Sequence, residues 1–199
     1  MTISAATVKK LRDKTNAGMM DCKEALMQSD GDFDKAIEYL RKKGLSAAAK
    51  RSSRAAKDGT ITAYIHMEGK IGVMVEVNCE TDFVAKTDSF RTLARDLAMH
   101  VAAMNPTYVR PEEITDEVMA RERAICREQA LAEGKPEKIL DKIVEGKLKK
   151  FYEDVCLVNQ KFIKDTAVTV EDLVKKMIAT TGENIIIRRF ARFQLGEDL

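Results

Sequence analysis

The 199-residue sequence has no tryptophan, three prolines and two histidines, His66 and His100. Two histidines far apart in the chain leave little material for an imidazole metal site or a nucleophile–base pair. The four cysteines, Cys22, Cys79, Cys126 and Cys156, form no C-x-x-C pair. That spacing argues against a zinc site or a disulfide framework and for reduced, mostly buried thiols. Neither G-x-x-x-x-G-K-[ST] nor G-x-G-x-x-G occurs, so the usual phosphate-cradling loops are missing and no nucleotide cofactor or metal is expected. Uncharged apolar runs fall far short of the ~20 residues that span a bilayer. The opening Met1-Thr2-Ile3-Ser4 lacks the basic and apolar regions of a secretory leader, which makes the cytoplasm the default expectation. Charge of one sign is not in excess either: 34 Lys and Arg meet 32 Asp and Glu, for a net +2. No global field therefore points to nucleic acid, and no membrane association is expected.

What is present is helical periodicity on a highly charged background, with 33% Asp, Glu, Lys and Arg. Residues 4–14 place Val8 and Leu11 on one stripe, residues 20–28 place Cys22, Ala25 and Leu26, and residues 33–43 place Phe33, Ala36, Ile37 and Leu40. Asp32 suits the N-cap of the third pattern and Gly44 its C-terminal stop. The spacing predicts a three-helix domain over residues 1–45. A small, basic linker over 46–58 follows, whose Lys50, Arg51, Arg54 and Lys57 read as a solvated hinge or as phosphate contacts.

From Thr60 the period becomes two. Ile61, Ala63, Ile65 and Met67 alternate up to a two-residue turn at Glu68-Gly69, and Ile71 to Cys79 alternate away from it, which predicts a β-hairpin. A helix over 88–104 follows, with Asp88 as N-cap, a stripe of Phe90, Leu93, Ala94, Leu97, Ala98 and Val101, and a stop at Asn105-Pro106. Patterns over 112–133 and 136–154 flank Gly134-Lys135-Pro136 and predict an αα-hairpin whose second arm carries the seam Leu140, Val144, Leu148, Phe151 and Val155. A helix over 169–180 precedes a third strand, where Ile185, Ile187, Ala191, Phe193 and Leu195 share one parity. The fold class is α+β, with a core domain over 59–199.

Chemistry is hard to find in these residues. Across a turn at 68–69, His66 faces Ile71 and stands about 26 Å from Cys79, so a Cys–His pair is excluded on strand geometry. His100 lies by the apolar stripe of its helix and reads as a packing or surface residue. Phe83 stands out, following Glu80-Thr81-Asp82 at a strand-to-helix turn. Its parity continues that of Val75, Val77 and Cys79, which makes it a core ring with Thr81 or Asp82 as a helix cap. The same residues also describe an aromatic anchor presented to a partner by a rigid turn. Periodicity leaves both readings open.

Two stretches, Leu11-Arg-Asp-Lys-Thr-Asn-Ala-Gly-Met-Met-Asp-Cys-Lys-Glu-Ala-Leu26 and Asn78-Cys-Glu-Thr-Asp-Phe-Val-Ala-Lys86, closely resemble the two signatures of the elongation factor Ts family. The resemblance extends over the whole chain, including Met99-His-Val-Ala-Ala103 and Arg192-Phe-Gln-Leu-Gly-Glu197. It implies a translation factor without an enzyme activity of its own, which exchanges guanine nucleotide on elongation factor Tu. It also implies a ubiquitin-associated-like domain, a three-stranded antiparallel core sheet and a coiled-coil hairpin at 112–154. The tip Thr81, Asp82, Phe83 and Val84 then becomes a wedge that enters the partner's GTPase domain and loosens its Mg²⁺ and phosphate contacts. Arg12, Met19, Met20, Lys23, Arg51 and His66 match partner-contacting positions. Asn16 stands where most members carry Gly, and Asn tolerates the left-handed conformation such a turn needs. With one core and an end at Leu199, the chain resembles short members, for which a homodimer and a two-plus-two complex with the partner are expected. Two other classes fit parts of the sequence: a helix-binding or ubiquitin-like adaptor, from the three-helix start, and a ribosome- or RNA-associated protein, from the basic linker.

Overall fold

Capping and apolar spacing set the first elements of the computed structural model, which describes residues 3–15 and 17–197. Helices α1 (Ala5–Thr15), α2 (Met19–Gln28) and α3 (Phe33–Arg51) bury Val8, Leu11, Cys22, Ala25, Leu26 and Ala36 in one shared core. Asp32 caps α3 by accepting hydrogen bonds from the amides of Asp34 and Lys35, both at 3.0 Å. The expectation for Asn16 falls outside the described residues.

Gly44 does not end α3, contrary to its reading as a stop; the helix runs seven residues further, through part of the segment read as a linker. A glycine inside a helix costs only about 1 kcal/mol, and here it serves close packing. A Cβ at position 44 would lie 3.2 Å from that of Ala179 on α8 (Val170–Thr181). Ala48, a turn further on, is buried.

Strands β1 (Asp58–His66), β2 (Ile71–Cys79) and β5 (Ile186–Gln194) form a three-stranded antiparallel sheet in the order β1-β2-β5. Gly59 has a φ of +142°, and the Cβ of any side chain there would collide with the Val77 carbonyl oxygen. The turn between β1 and β2 is longer than the two residues expected. Met67 and Glu68 adopt left-handed φ values of 50° and 54°, and a one-turn 3₁₀ segment covers Met67–Gly69.

Alternate residues of β2, Val73, Val75, Val77 and Cys79, are buried. The other face of the sheet is apolar yet open: Ile61, Ile65, Met74 and Phe193 are all exposed, Ile65 at 64% and Phe193 at 66%. The shared parity read along β5 is therefore not one buried row, since Ile185 and Ile187 are buried whereas Phe193 and Leu195 face outward.

α4 (Asp82–Ala85) and α5 (Asp88–Met104) follow β2. All six residues of the predicted α5 stripe are buried, and Asn105, at φ 46°, ends the helix. Its cap is Thr87 and not Asp88: the Thr87 hydroxyl accepts from the Phe90 amide at 3.3 Å. A threonine oxygen one residue earlier meets the third helical amide, as capping geometry requires.

α6 (Asp116–Ala132) and α7 (Glu137–Val155) pair through Cys126, Val144 and Leu148. The ion pairs Arg123–Glu145 at 2.8 Å and Arg127–Asp141 at 3.3 Å bridge residues whose numbers rise on one helix as they fall on the other, as in an antiparallel pair, and Lys147 reaches Glu133 at the end of α6 at 3.0 Å. β3 (Lys161–Phe162) and β4 (Asp165–Thr169), a short antiparallel ladder, had no counterpart in the sequence reading. Beside them His100 is fully buried, 3.0 Å from Gln160 Oε1, with its Nδ1 accepting from the Ile163 amide at 3.3 Å. The cysteines are free and buried, as their spacing suggested.

The chain divides into two compact units, Met1–Thr60 with Val77–Thr92 and Asp172–Ile186, and Ile61–Glu76 with Leu93–Glu171 and Ile187–Leu199. Among the described residues no helix is long and apolar enough to cross a membrane.

Candidate functional site: an exposed aromatic tip

β2 stops at Cys79, and the parity that would have carried Phe83 into the core stops with it. Thr81 takes an extended conformation (φ −132°, ψ 154°), and its hydroxyl caps α4 by accepting from the Val84 amide at 3.4 Å. The turn this creates sends consecutive side chains in different directions. Val84 and Ala85 are buried, which seats the short helix, whereas the Phe83 ring stands 78% exposed. A ring of this size in water has forgone roughly 1.5–3 kcal/mol of burial. The core reading of Phe83 is thereby set aside.

Asp82 forms an i,i+4 ion pair with Lys86. The Lys86 ammonium, by hydrogen bond and then by charge, holds the Asp82 carboxyl below the usual carboxylate range. Burial pushes the Cys79 thiol up to about 11, with Glu183 and Asp58 adding to the effect, so it stays protonated and structural. Cys79 Sγ donates to the Thr81 carbonyl at 3.2 Å.

The turn is held from a distant part of the chain. Glu183 Oε2 accepts from the amides of Glu80 and Thr81 at 3.0 and 3.1 Å, and its Oε1 accepts from the Thr81 hydroxyl at 2.6 Å. In return Glu80 Oε1 accepts from the Asn184 amide at 2.6 Å. The Asn184 side chain donates to the Arg54 carbonyl at 2.7 Å, and the Arg54 guanidinium stands 3.6 Å from Glu80. The sequence reading gave no site role to Glu80, Glu183 or Asn184. Glu183 and Asn184 follow Gly182 in an ordinary-looking turn, and nothing in local spacing links them to a segment about a hundred residues away.

The remaining candidates lie on other surfaces. Met19 and Met20 open α2, with Met20 75% exposed, and Arg12 and Lys23 are exposed on α1 and α2. Lys43 reaches Asp21 at 2.8 Å and Glu24 at 2.6 Å, tying α3 to α2 behind them. Arg51 lines an open hollow of about 540 Å³ with Lys42, Lys43, Lys50 and Arg54. His66 is exposed at the end of β1, its ring stacked on Tyr64 with centroids 5.8 Å apart and its Nδ1 3.0 Å from the Tyr64 hydroxyl. Among the described residues, no group of three His, Cys, Asp or Glu is arranged to hold a metal.

Comparison with known proteins gives these surfaces a context. The family model for elongation factor TS matches residues 2–197. An elongation factor Ts of Syntrophus aciditrophicus is 69% identical over 199 residues, which is all of this chain and 99% of the relative. One of Moorella thermoacetica is 57% identical over 197 residues, 99% of this chain and 97% of the relative. Matches of that identity over the full length leave one conclusion, that the chain belongs to the elongation factor Ts family.

Proposed function

We propose that this chain is a translation elongation factor that binds GDP-loaded elongation factor Tu and promotes GDP release, acting as a nucleotide exchanger in the cytoplasm and not as an enzyme. The observation that carries the reading is the Phe83 ring, 78% exposed on a turn whose preceding backbone is held by Glu183 at the Glu80 and Thr81 amides. A GTPase holds GDP through Mg²⁺ and phosphate-loop contacts. Thr81, Asp82 and Phe83 enter the partner's GTPase domain, seated by buried Val84, and shift the elements that make those contacts. Linkage then requires GDP to lower the factor's affinity for its partner by the same factor.

The first three helices act as a ubiquitin-associated-like docking domain over residues 1–45, joined through 46–58 to the core at 59–199. Arg12, Met19, Met20, Lys23 and Arg51 touch the partner, and His66 makes a separate contact. The antiparallel pair α6 and α7 is the coiled-coil hairpin of the family. The open apolar face with Ile61, Ile65, Met74 and Phe193 supports a homodimer whose two subunits engage two partners, because large apolar side chains grouped on one exposed sheet face mark an interaction surface.

The test is the release of labelled GDP from a cognate elongation factor Tu with and without this protein. Acceleration that saturates with factor concentration is the expected result. An unchanged release rate, with the protein folded and in excess, would refute the reading.

A further inference from the structure

We infer that Glu183 is a positioning residue for nucleotide exchange: its carboxylate sets the orientation of the tip that carries Phe83. The inference rests on the tip being the exchange element. α4 has four residues, far fewer than the ~12–15 an isolated helix needs to be even marginally stable. Its direction must therefore be fixed from outside, and an exposed Phe83 ring contributes no packing to that end.

Glu183 supplies what the tip lacks. Both of its oxygens are engaged there, in three hydrogen bonds of 2.6–3.1 Å to the Glu80 amide, the Thr81 amide and the Thr81 hydroxyl. Bonds to a charged acceptor are about twice as strong as neutral ones. The third bond also has a directional effect. Because the Thr81 hydroxyl gives its proton to Glu183, its lone pairs are left to accept from the Val84 amide, the bond that starts α4. Glu183 thus selects the rotamer of the cap, and the cap sets the helix.

The carboxylate is itself anchored. The Glu183 amide donates to the Thr181 hydroxyl at 3.3 Å, and the neighbouring Asn184, buried and bonded to the Arg54 carbonyl, returns its own amide to Glu80. Two segments about a hundred residues apart therefore exchange carboxylate-to-amide bonds in both directions. With both oxygens bonded to the tip, Glu183 is assigned a positioning role and not a partner contact.

Removing this support leaves only the packing of Val84 and Ala85 to hold the short helix, and misplacement of Phe83 by about 1 Å costs on the order of a hundredfold in positioned chemistry. The experiment measures GDP release at saturating factor for Glu183→Ala and Glu183→Gln, each alone and combined with Phe83→Ala. Glu183→Ala is expected to slow release by about ten- to a hundredfold while partner affinity changes far less. Glu183→Gln should fall between Glu183→Ala and the wild type, since an amide oxygen can still take both backbone amides whereas its NH₂ cannot accept the Thr81 hydroxyl proton and the charge is lost. On Phe83→Ala, Glu183→Ala should add less than about a twofold loss, because both act through one element. Amide hydrogen exchange at Glu80 and Thr81 should rise in Glu183→Ala with the amides of Val73 to Val77 unchanged, which also verifies that the variant is folded.

An unaltered release rate in Glu183→Ala, or the same fold-loss with and without the Phe83 ring, overturns the inference. If Phe83→Ala alone exchanges normally, the reading of the tip fails instead. The amide exchange then still reports separately whether Glu183 orders the turn.

Discussion

At the residue scale, side chains that sequence patterning treated alike have opposite fates. Phe83 and Cys79 share a parity, but a strand end and a threonine cap separate a ring in water from a thiol in the core. Local rules could name Thr81 as a cap; they could not tell that the strand stops two residues earlier. His100 shows the converse, a residue of undecided role that proves fully buried. Burial lowers its pKa despite the opposing hydrogen bond to Gln160. Protonating it would also point an N–H at the Ile163 amide that Nδ1 now accepts. With a folded pKa below the unfolded value of about 6.5, its contribution to stability is complete above that pH and is lost as pH falls through the folded pKa. Denaturant titrations should show stability dropping as pH falls below about 6.5, with a slope from this group of at most about 1.4 kcal/mol per pH unit. In His100→Gln that component should vanish; a persisting slope would assign it to other groups.

At the scale of elements, most helices and all three core strands were legible because caps and apolar periodicity agree with each other. α5 is the clearest case, its six-residue stripe buried throughout. Failures occurred where a distant contact overrides a local signal. Gly44 looks like a stop until Ala179 is placed against it, and β3 and β4 are too short to show a period. α2 makes a prediction of its own, since Met19 and Met20 lie at its exposed start, outside the three-helix core. The double substitution Met19→Ala/Met20→Ala should leave stability within about 0.5 kcal/mol and weaken partner binding about tenfold or more, as loss of apolar anchors does. Unchanged affinity in a calorimetric titration would remove these residues from the docking surface.

At the scale of the whole molecule, the chain buries one face of its sheet and leaves the other apolar and open. The sequence announced the apolar residues through their alternation, but alternation is silent on whether the second face is covered. Ile65 is 64% and Phe193 66% exposed on that face, so charges there should cost little folding stability and abolish self-association. Light scattering is expected to give a dimer for the wild type and a monomer for Ile65→Lys/Phe193→Glu. A wild type that stays monomeric at micromolar concentration would dismiss the dimer.

The central claim is that an exposed ring on a fixed turn drives exchange, and Phe83→Ala tests it most directly. A core phenylalanine loses about 3–5 kcal/mol of stability on truncation to alanine, whereas a ring 78% exposed should lose no more than about 0.5 kcal/mol. The measurement is the GDP release rate from elongation factor Tu at equal concentrations of folded wild type and Phe83→Ala. The account predicts a variant that melts with the wild type and accelerates release at least about tenfold less, the loss expected for a buried aromatic hot spot at an interface. A variant that is destabilised by several kcal/mol, yet exchanges at the wild-type rate per folded molecule, would contradict it.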